Sequence, residues 1–185
     1  VVHLFLQLLP NYSSNNINAV KDLVYKRFKD QLKDHDLIER AFLESQGVIH
    51  HSRLGPLLKD PNSYRELSVS SVLALPMAFG DKTKREVRIK GRLDLLNLSV
   101  SKVFIVDFKT HSKVPSSVKA VDISVLAQLE LYSRMLNQVY PDHDISTAIV
   151  WTNTTSLMKI PRMSSDKALN TLFANQVLDD IKAGS

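Results

Sequence analysis

The sequence predicts an α/β fold in which a mixed central β-sheet is flanked by helices and entered through an N-terminal helical segment. Three observations carry this. The first 60 residues repeat their apolar positions with a helical period, whereas from about residue 65 the apolar stretches are short and bounded by turns. Val103-Phe104-Ile105-Val106 is apolar on both faces, as expected of a central strand covered on each side. A strand, a helix and a further strand then follow up to residue 152, an order that requires a parallel crossover.

The elements follow in turn. Val1 to Leu9 reads as the end of a helix, stopped by Pro10 and the polar run Asn11 to Asn16. Asn16 to about Lys33 carries the 3.6-period stripe Ile17, Val20, Leu23, Val24, Phe28 and Leu32. A third helix starts at Asp36 and is expected to break at Gly47. A short one over Val48 to Leu58 is expected to be interrupted at Gly55-Pro56. Strands are predicted over Arg65–Leu75, Glu86–Leu98 and Lys102–Thr110. Gly80-Asp81-Lys82 supplies turn chemistry between the first two. Ile123–Val139 reads as a helix, Ser146–Thr152 as a buried strand and Ser156–Ile160 as an edge strand. Ser164–Leu178 reads as a closing helix capped by Ser164 or Ser165. We expect one domain over 1–185, made of a helical segment (1–60) and an αβ core (61–185).

Composition narrows the function. With 185 residues, 44% of them apolar, the chain can bury a substantial core. It has no cysteine, so disulfides, zinc–thiolate sites and iron–sulfur clusters are excluded. No apolar run approaches a membrane span, and the opening residues are not expected to act as a signal peptide. Because it begins Val1-Val2-His3 rather than with methionine, we expect it to be a piece of a longer polypeptide. A net charge of +5 and a pI near 9.4 permit a polyanionic partner.

The chemistry concentrates between residues 91 and 110. Asp107 and Lys109 are two apart, so on a strand both point to one face. A hairpin turning at Val100-Ser101 sets Asp94 opposite Asp107. Opposed residues have Cβ atoms about 4.5–5.5 Å apart, near enough for both carboxylates to touch one hard cation. Two carboxylates and a lysine at a sheet suit metal-dependent phosphodiester hydrolysis. Between Lys82 and Arg92 six basic residues stand against one acidic, Glu86. Such a strip, which includes Arg88 and Arg92, either guards an exposed strand edge or lines a path for phosphates. Trp151, in an apolar strand, reads as core rather than as a stacking platform.

The motifs Gly91-Arg-Leu-Asp94, Asp107-Phe-Lys109 and Gln128-Leu-Glu-Leu-Tyr132, in this order, resemble the PD-(D/E)XK nuclease superfamily. The last is similar to the Gln-x-x-x-Tyr signature of RecB-type nucleases, and the Val2-His-Leu-Phe-Leu-Gln7 opening to their His-containing helix. Ala148–Asn153 and Leu157–Pro161 are similar to the tail of AddA-type double-strand-break repair proteins. The resemblance implies a restriction-endonuclease-like core that uses Mg²⁺, with Mn²⁺ as a substitute. It implies His3, Asp94, Asp107 and the Phe108 carbonyl as metal ligands, with Glu66 approaching through water. Lys109 would sit beside the attacking water. Thr110, Arg88 and Arg92 are read from position and charge as DNA contacts, and the resemblance adds Gln128 and Tyr132. It further implies single-stranded or unwound DNA as substrate, a helicase motor on the same polypeptide, an AddB-type partner subunit and a bacterial cytoplasmic setting. The domain alone is expected to be monomeric and bound to no membrane. The motor is not in these residues, because no Gly-x-x-x-x-Gly-Lys-Ser/Thr loop occurs. Two alternatives are a nuclease-fold module that binds without cutting and a free-standing repair nuclease. All three of Asp94, Asp107 and Lys109 are present, which counts against the first.

Overall fold

The computed structural model describes residues 1–11, 16–30, 36–76, 84–111 and 113–162. The predicted turn at 80–82 and the predicted helix over 164–178 lie outside these residues. The elements are α1 (Val2–Leu8), α2 (Ile17–Phe28), α3 (Asp36–His50), α4 (Leu54–Lys59), β1 (Ser63–Pro76), β2 (Lys84–Leu98), β3 (Lys102–Lys109), α5 (Ile123–Val139), β4 (Asp144–Trp151) and β5 (Ser156–Ile160). The five strands form one sheet in sequence order. β1, β2 and β3 pair antiparallel, β4 returns parallel to β3 across α5, and β5 pairs antiparallel with β4. The sheet is therefore mixed, as its strand order predicts. No helix among the described residues is long and apolar enough to cross a membrane.

Two apolar layers cover the two faces of the sheet. On one, Phe5, Leu6, Val24, Phe42, Val48 and Leu58 of α1–α4 pack against Leu95, Val106, Phe108 and Val150. On the other, Ala127, Leu131 and Met135 of α5 pack against Leu93, Ile105, Ile149 and Trp151. Trp151 is core, only 3% exposed. Its aromatic area is large enough to anchor that layer.

Two expectations fail in the helical segment. Gly47 does not end α3, which runs on to His50. A mid-helix glycine costs only about 1 kcal/mol relative to alanine, and burying Val48 and Ile49 outweighs that. Nor does Gly55-Pro56 interrupt a helix. α4 begins at Leu54, so Pro56 falls in its first turn, where a missing N–H leaves no bond unmade. Gly55 is needed because an added Cβ would lie 2.1 Å from the Ile49 carbonyl oxygen.

The β2–β3 register pairs Leu95 with Val106 and Leu98 with Val103, which centres the turn on Val100-Ser101. Ser99 N donates to Lys102 O at 2.9 Å to close it. In β1 and β2, Arg65 pairs with Leu95 and Leu67 with Leu93, leaving Glu66 across from Asp94. Both strands change faces at this rung. Arg65 donates to Leu58 O and to Asn11 Oδ1 in the α1–α4 layer, while Leu67 packs in the α5 layer. Leu95 and Leu93 split between the layers in the same way. A regular strand would keep each pair on one face. The switch coincides with Glu66 at φ 52°, a left-handed conformation that ordinary L residues rarely adopt.

Candidate active site

The face switch sets acids of three adjacent strands near one level, here called the rung. Glu66 on β1 and Asp94 on β2 stand between the flanking pairs Arg65–Leu95 and Leu67–Leu93, and Asp107 on β3 follows the last β2–β3 pair, Leu95–Val106. Asp94 takes over part of the backbone ladder, its Oδ2 accepting from Phe108 N at 2.7 Å. Its other oxygen, Oδ1, lies 3.3 Å from His3 Nδ1, and Glu66 Oε1 lies 3.5 Å from the same nitrogen. His3 Nε2 is 3.1 Å from Phe108 O; a carbonyl only accepts, so this nitrogen donates. His3 reaches the rung because α1 is formed from Val2 and buries Val2, Phe5 and Leu6. Imidazole and carboxylates thus meet although residues 3, 66 and 94 are far apart in sequence. His3, Glu66 and Asp94 hold ligand atoms within 4.8 Å of one another; among the described residues Asp107, expected to share the cation with Asp94, does not join this group.

The electrostatics follow from this packing. Burial pulls the His3 imidazole pKa down, but hydrogen bonds to Asp94 and Glu66, with their charges, outweigh it and leave the pKa raised to about 10. Glu66 is lowered, first by His3 and less by Arg92, whose Nη1 lies 3.4 Å from Glu66 Oε2, against the upward push of burial. Asp107 is only 6% exposed. Burial raises its pKa to about 6, partly offset by Lys109 and reinforced by the charge of Asp94. Lys109 Nζ stands 3.0 Å from Asp107 Oδ2, so this buried carboxylate is held in an ion pair.

The donor set fits a hard divalent cation. Carboxylate oxygens, a carbonyl oxygen and one imidazole are the ligands that Mg²⁺, Mn²⁺ or Ca²⁺ accept, and no soft thiolate competes. A proton now holds His3 to two carboxylates, and a cation would serve the same charges.

The remaining expected residues fall into two groups. Tyr132 donates its hydroxyl to Arg92 O at 3.0 Å, and Gln128 Nε2 donates to that hydroxyl at 3.1 Å. The first bond runs from α5 inward to β2 next to the rung, and the second braces the tyrosine within α5. Arg92 is exposed and leans on Glu66, Arg88 is exposed further along β2, and Thr110 is exposed just past β3. Lys82 lies outside the described residues. Gly91, which opens the Gly91-Arg-Leu-Asp94 motif, is required by its neighbour on α5. A Cβ there would sit 2.5 Å from Tyr132 Cε1 and 2.7 Å from its oxygen. An isolated glycine inside a strand is the sequence signal for such a close approach.

Residues 1–180 match the PD-(D/E)XK nuclease superfamily. Among solved structures, the chain is similar to the crystal structure of SSO0001, with 15% identity, a TM-score of 0.42, and coverage of 96% of this chain and 74% of that one. No curated protein matches the sequence. Nearly the whole chain is thus accounted for by one family, with a mixed sheet between helices and an acid–lysine rung at its centre: it belongs to the PD-(D/E)XK nuclease superfamily.

Proposed function

We propose that this chain is the nuclease domain of an AddA-type, RecB-like helicase–nuclease subunit and hydrolyses single-stranded DNA with Mg²⁺. Members of the superfamily are generally metal-dependent nucleases. The observation that carries the reading is the rung Glu66–Asp94–Asp107 with Lys109 and His3 attached to it. In this reading Asp94, Asp107, His3 and the Phe108 carbonyl hold the cation, with Glu66 beside them. A bound cation lowers the pKa of a coordinated water and offsets phosphate charge. Lys109, an ammonium fixed against a buried carboxylate, orients the attacking water and counters negative charge developing on the phosphate. Its backbone is held too, since Thr152 N donates to Lys109 O at 3.0 Å. Exposed Arg88 and Arg92 supply cations along the strand that leads to the rung. The AddA assignment rests on the similarity of 148–153 and 157–161 to that group. It brings with it recombinational repair, a motor on the same polypeptide and an AddB-type partner.

Digestion of end-labelled single-stranded DNA, with Mg²⁺ or with EDTA, beside Asp107→Ala tests the activity. Cleavage should require the metal and vanish in the variant. A folded Asp107→Ala protein retaining activity within about tenfold of the parent sinks the reading. That ratio is only ~1.4 kcal/mol of barrier, too little for a lost ligand.

A further inference from the structure

A cavity of about 650 Å³ opens beside Lys109, within the ~300–1,000 Å³ range of small-molecule sites. Its floor is the end of the β3–β4 ladder, where Lys109 and Trp151 are direct partners. One wall is His111 together with residues of the segment from Lys113 to Val121, and the other is the first turn of α5 with Val125. Its lining is divided by chemistry. Lys109, His111 and Lys113 bring three basic side chains, while Val121, Val125 and Trp151 make an apolar interior. Asp122, the acid in the lining, is engaged elsewhere. It caps α5, accepting from Ser124 N at 2.8 Å and from Ser124 Oγ at 2.7 Å, bonds that hold it below the usual carboxylate range. The ligand that suits such a site is anionic at one end with a flat apolar body at the other.

We propose that this cavity receives the unstacked base and sugar of the nucleotide next to the cleaved phosphodiester. The proposal rests on the nuclease reading and names the feature of the substrate that the site selects. Lys109 joins the two places, since it lines the cavity and its ammonium lies 3.0 Å from Asp107 Oδ2 on the rung. A phosphate at Lys109 therefore has carboxylates on one side and a base-sized recess on the other. Bases in a duplex are paired and stacked and cannot enter a recess without being extruded. A single strand can splay one in, and apolar walls accept any base face with little sequence preference. The cavity thus provides a physical reason for a single-strand preference independent of any motor.

Trp151 is the chain's only tryptophan, so its emission reports on the cavity floor. The experiment titrates the protein in EDTA, where no cleavage occurs, with pentathymidylate and with a pentamer of abasic tetrahydrofuran phosphates. Both carry the same backbone charge. Pentathymidylate should shift Trp151 emission saturably and bind at least about tenfold tighter, as loss of a base contact would predict. Ala120→Phe, on an exposed lining residue, and Val125→Phe should each fill the recess and bring the two ligands to within about twofold. Equal affinities in the parent, absent binding, or an unchanged preference in both folded variants overturns the proposal. Cleavage of single-stranded DNA is measured separately. A protein that cuts but shows no base preference loses the cavity alone, and one that prefers bases but never cuts loses the nuclease reading.

Discussion

Gly91→Ala probes the strand that carries Asp94. The backbone at Gly91 accepts alanine, but the new methyl would lie 2.5 Å from Tyr132 Cε1, 2.7 Å from its oxygen and 3.0 Å from Cζ. The tyrosine ring is wedged between β2 and α5 and is 6% exposed, so it cannot swing into solvent freely. Overpacking of this kind costs about 1–3 kcal/mol. Displacing the ring also breaks the bond from Tyr132 to Arg92 O, worth about 1 kcal/mol. Alanine regains about 0.5–1 kcal/mol by restricting the unfolded chain more than glycine does. The net loss should be about 1–3 kcal/mol. At about 2–4 °C per kcal/mol for chains of this size, a midrange loss lowers Tm by about 4–8 °C. Urea unfolding of the metal-free protein reads the free energy, and a cycle with Tyr132→Ala assigns it. Once the ring is gone, alanine at 91 should be neutral or stabilising by about 0.5 kcal/mol. Because Arg92 O is held two residues before Asp94, cleavage should fall further in Gly91→Ala than the lost stability explains. A change below about 0.5 kcal/mol in the parent background, or the same cost with Tyr132 already removed, refutes the argument.

Asp107 makes stability depend on pH. Its folded pKa, about 6, exceeds the ordinary 3.8, so its stabilising contribution is complete below about pH 4 and is lost as pH rises through 6. In EDTA, Asp107→Asn should be more stable than the parent above pH 7 by about 1–3 kcal/mol, with the gap closing toward pH 4; urea titrations that find a pH-independent gap count against it. Mn²⁺ binding by calorimetry should disappear in Asp94→Ala, and an undiminished signal would place the cation elsewhere. Replacing Lys84 and Arg88 by alanine should lower the log–log salt slope of single-strand binding by roughly 1–1.5 if both touch phosphate, at about 0.7 per contact. An unchanged slope would assign those side chains to guarding the strand edge.

Several parts of the fold were legible from local signals. The β2–β3 register followed from a turn at Val100-Ser101, because a hairpin's turn dictates every pair beyond it. α5 was found at Ile123–Val139 and β5 at Ser156–Ile160, both delimited by apolar runs between polar turns. Gly47 and Gly55-Pro56 misled, because burial and position in the first turn override intrinsic propensity. By itself the sequence determined the β2–β3 register that leads up to Asp94 and Asp107, and the exclusion of thiolate chemistry. Only the tertiary structure decided that Glu66 joins their rung, since its left-handed backbone and the shared face switch of β1 and β2 have no local signature. It also brought His3 to Asp94, turned Tyr132 inward onto Arg92 and set the cavity beside Lys109. Local pattern specifies period and register within a hairpin. Contacts between residues 3, 66, 94 and 132 depend instead on how whole layers pack, and no window of the chain contains them.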